Sequence, residues 1–161
     1  MDFSLSQDQQ MLVAAIEQLC RGFDDEYWLT CDRTGEYPEA FYQRLAKAGW
    51  LGVAMPQEYG GAGVGITEAA LMMKAISRSG AGFTGASAVH MNIFGLNPVV
   101  RFGSEELKQR ALPPLIEGKD KACFAVTEPD AGLDTTQLTT RAQKHGDHYR
   151  IYGRKIWIST A

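Results

Sequence analysis

The 161-residue chain carries little of what marks nucleic-acid binding, membrane insertion or an oxidising compartment. Its net charge is −3 and no Lys/Arg run exceeds two residues. Electrostatics therefore gives no reason to expect a nucleic-acid or anionic-membrane partner. No apolar stretch approaches the roughly 20 residues that span a bilayer, and Met1-Asp2-Phe3-Ser4 has neither the basic start nor the apolar run of a secretory leader. Cysteine is scarce: Cys20, Cys31 and Cys123 are far apart, odd in number and without metal-ligand spacing. Bystander thiols in a reducing, cytoplasmic setting are expected. His90, His145 and His148 are scattered, so no metal site is expected. A G-x-S-x-G elbow is missing, as are internal repeats. The glycine run Tyr59-Gly60-Gly61-Ala62-Gly63 lacks the Lys-Ser/Thr of a phosphate loop and the G-x-G-x-x-G spacing, and reads as a turn between helices.

Apolar periodicity is present, with 45% of residues hydrophobic. Ser6-Gln7-Asp8-Gln9 has capping-box form, and Leu12, Ile16, Leu19 and Phe23 recur at helical spacing up to the acidic Asp24-Asp25-Glu26. Pro38 suits a first helical position, Phe41, Leu45 and Ala48 share a face, and Gly49 suits the cap after it. A third helix opens at Thr67-Glu68 and closes at Gly80. Phe83 to Phe94, weakly polar all round, predicts a helix buried in a bundle or an oligomer contact. Asn97-Pro98 starts a short helix ending near Gly103. Ser104-Glu105-Glu106-Leu107 caps another, which Pro113-Pro114 should stop. Five or six helices with short connectors make an antiparallel bundle.

Beyond residue 120 the character changes. Cys123–Thr127 is a short apolar run, residues 136–142 are rich in Thr, and His148–Tyr152 alternates after a Gly146-Asp147 turn. Residues 156–159 predict a further strand. The fold class is thus mainly α: a helical amino-terminal bundle over residues 1–120, then an incomplete antiparallel β domain over 121–161. Two or three strands cannot bury two faces, so the chain is expected to be part of a longer protein.

Chemistry concentrates in this second part. Glu128-Pro129-Asp130-Ala131-Gly132-Leu133-Asp134 is a compact acidic loop, in which Gly132 can take a positive φ. Val126-Thr127 and Trp157-Ile158-Ser159 could lie side by side, offering an indole face, two hydroxyls and free amides. That combination suits a planar heteroaromatic cofactor. The plainer alternative is a Trp filling the core of a sheet, with Thr and Ser exposed. Glu105-Glu106 is explained by the helix dipole.

Three segments, Cys123–Asp134, Leu138–Ala142 and Gly153–Ser159, resemble the flavin-binding signature of the acyl-CoA dehydrogenase family. Gly49–Gly61 and Phe102–Lys108 are similar to that family's helical domain. The resemblance implies a helical domain, a middle β domain and a carboxy-terminal four-helix bundle, assembled as a homotetramer or dimer. It implies FAD as cofactor of the full-length enzyme, absent from or weakly bound by this chain alone, an acyl-CoA thioester as substrate in fatty-acid β-oxidation, and an electron-transfer flavoprotein as acceptor. The segment from Phe124, Ala125, Val126 and Thr127 through Gly132 and Leu133 would line the flavin, with the amides around Val126 and Thr127 at the ring edge. Thr127 and Ser159 would give hydroxyls, Ser159 nearest the reactive nitrogen, while Trp157 and Ile158 pack on the ring.

One departure stands out: many members have Ser in a Gly-Ser-Asp triplet, and this chain has Gly132-Leu133-Asp134. The family's base for the α-proton lies outside these residues, so no residue here is expected to be catalytic and the chain alone is expected to be inactive. Two other functions remain compatible: a flavin-free helical interaction module, and the same fold running acyl-CoA oxidase or nitroalkane oxidase chemistry.

Overall fold

A computed structural model describes residues 4–159. Ser6 opens helix α1 (Gln7–Cys20) by a reciprocal cap: its hydroxyl accepts from the Gln9 amide at 3.2 Å, and its own amide donates to Gln9 Oε1 at 3.1 Å. Such a cap contributes about 1 kcal/mol. Leu12, Ile16 and Cys20, at spacings of four, form the buried stripe. Leu19 and Phe23 pack on the core half-buried.

The acidic Asp24-Asp25-Glu26 does not merely end that helix; it begins another. Asp24 accepts from the Tyr27 amide at 3.0 Å and caps α2 (Asp25–Thr34), whose first turn holds two more carboxylates facing the positive end of the helix dipole. Trp28, the one buried residue of α2, joins Phe23, Tyr27 and Phe41 in an aromatic cluster; its ring lies 5.0 Å from Phe41, edge to face.

Helix α3 (Glu39–Lys47) starts one residue later than the sequence suggests, with Pro38 at the cap position. Its buried face is Phe41, Tyr42, Leu45 and Ala46, while Ala48 is exposed, because the helix ends at Lys47 and Gly49 turns left-handed at φ 79°. Two short 3-10 turns follow, Trp50–Gly52 and Gln57–Tyr59. The glycine-rich connector is pinned as a turn. The Ala62, Gly63 and Val64 amides donate to Gly52, Met55 and Val53 carbonyls. A Cβ on Gly61 would lie 2.1 Å from the Met55 oxygen, so only glycine fits.

Helix α4 (Ile66–Arg78) begins at Gly65 and packs between α1 and α5 (Gly82–Phe94). The Gln9 amide group donates to Glu68 at 2.9 Å and ties α1 to α4. The small residues of α5 let Gly85, Ala86, Ala88, Val89 and Asn92 be buried. Asn92 donates to Tyr42 Oη and to the Leu115 carbonyl, and Tyr42 donates to the Asp120 carbonyl. Short α6 (Asn97–Phe102) leads to α7 (Glu105–Ile116), capped by Ser104 as expected.

Pro113-Pro114 does not stop α7; both lie inside its last turn. Proline there forfeits two backbone donors, and the helix ends within two residues. The two proline carbonyls accept from Glu117, Lys119 and Asp120, closing the turn. Seven α-helices result among the described residues, more than the five or six expected.

The two compact units divide between Ala122 and Cys123. The second contains one antiparallel hairpin, β1 (Arg141–His145) and β2 (His148–Tyr152), with His145 opposite His148 and Gly146 at φ 66° in the turn. Every residue of both strands is exposed. Residues 156–159 are not the further strand that the sequence predicts, and residues 123–127 and 136–140 are not strands either. Their backbone groups are spent elsewhere. Residues 135–137 form a 3-10 turn capped by Asp134, and the Thr139 and Thr140 amides bind a side-chain carboxylate instead of a neighbouring strand.

Candidate functional site

The second unit is organised by a tight turn and a buried charge. Pro129-Asp130 forms the tip of a turn closed by two backbone hydrogen bonds, Glu128 N–H to Ala131 O at 3.0 Å and Ala131 N–H to Glu128 O at 3.2 Å. The turn therefore does not depend on Gly132, which is absent from the positive-φ glycines of the described chain. Ala131 is buried at its foot.

Glu128 is only 4% exposed. Oε2 accepts from the Thr139 amide and hydroxyl, each at 2.8 Å, and Oε1 accepts from the Thr140 amide and Lys155 Nζ, each at 2.9 Å. Thr140, which bonds through its amide while its buried hydroxyl has no hydrogen-bond partner, the Thr139 amide, the Lys155 ammonium and the Thr139 hydroxyl together hold the carboxyl well below the ordinary carboxylate range. Asp134 is likewise lowered, by the Thr136 hydroxyl and amide. Both carboxylates are committed as acceptors.

The structure brings together part of the expected site. Ile156 N–H donates to Thr127 O at 3.0 Å, so Val126-Thr127 runs beside the start of Trp157-Ile158-Ser159. Phe124 and Ala125 are exposed; Val126 and Thr127 are half-buried. The Val126 amide donates to Phe124 O at 3.1 Å. Among the described residues, the Thr127 amide and hydroxyl have no hydrogen-bond partner. Trp157 adopts a left-handed φ of 58°, unusual for a bulky residue, and is 87% exposed rather than packed in a core. Ile158 is half-buried and Ser159 exposed. Leu133 stands entirely in solvent and takes part through its carbonyl, which accepts from the Thr135 amide at 3.1 Å.

A flat, exposed aromatic face next to unpaired donors fits a planar ring with acceptor heteroatoms at its edge. The residues present therefore fit a flavin. Glu128 and Lys155 were missed in the sequence, because a Glu and a Lys separated by 26 residues leave no periodic or motif signal of their pairing.

The amino-terminal domain model of acyl-CoA dehydrogenases matches residues 6–119, and the middle-domain model matches residues 123–161. The chain is 34% identical over its full length to the probable acyl-CoA dehydrogenase YngJ of Bacillus subtilis, of which it spans 42%. Among solved structures, a glutaryl-coenzyme A dehydrogenase in complex with glutaryl-CoA superimposes on 98% of the chain, with a TM-score of 0.86 and 29% identity; the chain covers 40% of it. PigA with FAD and proline superimposes on the same share, with a TM-score of 0.89 and 28% identity, and the chain covers 42% of it. The chain spans less than half the length of these relatives. On the strength of both domain matches, this chain belongs to the acyl-CoA dehydrogenase family.

Proposed function

We propose that the chain contributes the helical domain and one wall of the flavin site to an FAD-dependent acyl-CoA dehydrogenase, which converts acyl-CoA thioesters to trans-2-enoyl-CoA. The observation that carries this reading is the Thr127–Ile156 hydrogen bond, which joins Thr127, its donors unpartnered among the described residues, to the residue before the exposed Trp157. Thr127 and Ser159 are assigned to the acceptor atoms of the ring, Trp157 and Ile158 to its face, and Phe124, Ala125, Val126 and Gly132 to the rest of the lining. FAD bound there supplies the hydride acceptor for the β-carbon. The residues themselves bind and orient it: the Thr127 hydroxyl and amide donate, and the indole excludes water from one face. Leu133 offers backbone and an apolar side chain where many members carry a hydroxyl, so its contact to the diphosphate or the thioester ligand is through the main chain.

No base for the α-proton is assigned to this chain, because Glu128 and Asp134 both hold their charge in hydrogen bonds to neighbouring donors. An electron-transfer flavoprotein is assigned as electron acceptor and a homotetramer as the assembly, on the family resemblance. The test is a titration of the purified chain with FAD, read as a perturbation of the flavin absorption bands, followed by anaerobic addition of acyl-CoA. The expected result is weak but saturable flavin binding with no bleaching by acyl-CoA. Bleaching above background would overturn the assignment of no base, and no spectral change at millimolar FAD would overturn the cofactor reading.

A further inference from the structure

Three separate stretches of the second unit meet at one buried ion pair. Glu128 gathers the Thr139 amide and hydroxyl, the Thr140 amide and Lys155 Nζ at 2.8–2.9 Å. Lys155 Nζ donates onward to Val126 O at 2.8 Å, and one residue later Ile156 N–H donates to Thr127 O at 3.0 Å. Thr139-Thr140 leads into β1 and Lys155-Ile156 follows β2, so both feet of the hairpin are tied to the strip that carries Thr127. Gly153 completes the arrangement. A Cβ there would lie 2.1 Å from Thr140 Oγ1, so only glycine lets the Thr140 side chain sit against the pair.

A buried ion pair is a poor source of stability, since desolvation offsets most of its attraction; what it can fix is geometry. Here the geometry fixed is the spacing of the Thr127 and Ile156 backbones, from which Thr127 and the next residue, Trp157, project. Val126 and Thr127 are held through their carbonyls, which leaves the Thr127 amide and hydroxyl uncommitted among the described residues. Trp157 sits two residues after the lysine, in a left-handed conformation that a free loop would abandon.

We propose that Glu128 and Lys155 are positioning residues for the flavin site, setting the spacing of Thr127 and Trp157 without touching the cofactor. This rests on the flavin reading above. Neither side chain faces solvent enough to bind a ligand itself: Glu128 is buried and Lys155 is about four-fifths covered, its side chain 21% exposed. Both act through the backbone they hold.

The test compares the chain with Glu128→Leu/Lys155→Met, an apolar replacement of the whole pair, and with Lys155→Arg. Three readouts are needed: far-UV circular dichroism, amide hydrogen exchange at Thr139, Thr140 and Ile156, and FAD titration. The double variant is expected to keep its helical signal, to exchange those amides at least tenfold faster, and to bind FAD at least tenfold more weakly. Lys155→Arg keeps the charge and should recover most of the affinity. A double variant that binds FAD as tightly as the parent overturns the proposal while leaving the flavin reading intact. A parent chain with protected amides but no FAD binding overturns the flavin reading, and the positioning role with it. If the double variant loses its fold, the comparison of Lys155→Met with Lys155→Arg decides: equal FAD affinity in the two overturns the proposal.

Discussion

The two units are held together by opposite means. The helical unit buries an apolar core in which Ile16, Phe41, Tyr42, Leu45, Met72, Ile76 and Val89 are fully enclosed. The second unit exposes every residue of its hairpin and gathers its loops around one carboxylate. Apolar packing is tolerant of pH and intolerant of lost volume. A polar hub is the reverse: it has little volume to lose, and depends on the ionisation of a single group. Substitutions that separate these two dependences test the comparison.

The largest effect is expected from Phe41→Ala. It empties the centre of the cluster formed with Phe23 and Trp28, at a cost of about 3–5 kcal/mol. Urea unfolding followed by far-UV circular dichroism should show the lowered midpoint with an unchanged slope. A loss under 1 kcal/mol would mean that the aromatic cluster is not the core of the unit.

Next in size is the acid response of the hub. The folded-state pKa of Glu128 lies below its ordinary 4.5. Its stabilisation is therefore complete above that value and is lost as pH falls from 4.5 towards the depressed folded value. Amide resonances of Thr139 and Thr140 should hold steady from neutral pH down to about 5 and move only below 4.5. Glu128→Gln should speed exchange at those two amides about tenfold at neutral pH, the loss expected of one charge-assisted contact. Movement centred near neutral pH would remove Glu128 from the centre of the second unit.

How much of this was legible follows the same division. The capping residues Ser6 and Ser104, the stripe Leu12-Ile16 and the left-handed Gly49 were all readable, because periodicity and cap chemistry are local. Helix α2 was missed because it buries one side chain only, Trp28, and so has no stripe to read. Pro113-Pro114 misled because the helix runs two residues past the prolines and ends there, with their carbonyls taken up by the Glu117, Lys119 and Asp120 amides. In the second unit the Gly146-Asp147 hairpin was legible from its turn residues. The closeness of Thr127 to the 156–159 segment was legible too, from residue chemistry. The hub was not: bonds from a side chain to distant amides impose no spacing on the sequence, and they convert runs that look like strands into irregular chain.

A smaller effect is expected at the local signals. Ser104→Ala removes the acceptor for the Leu107 amide and should cost the helical unit about 1 kcal/mol, seen as a modest drop in melting temperature. The smallest is at Leu133, whose side chain touches solvent alone. Leu133→Ser should leave stability within about 0.5 kcal/mol. If the missing hydroxyl matters to the ligand, FAD titration of this variant should show tighter binding, and an unchanged affinity would confine position 133 to its backbone role.

The three tryptophans differ in their access to water: Trp28 is buried, Trp50 half-buried and Trp157 almost fully open. An aqueous quencher such as iodide will therefore extinguish the emission of Trp157 well before that of the other two. The chain thus carries its own optical gauge, in which protection of one emitter by a stacked ring would be visible without any label.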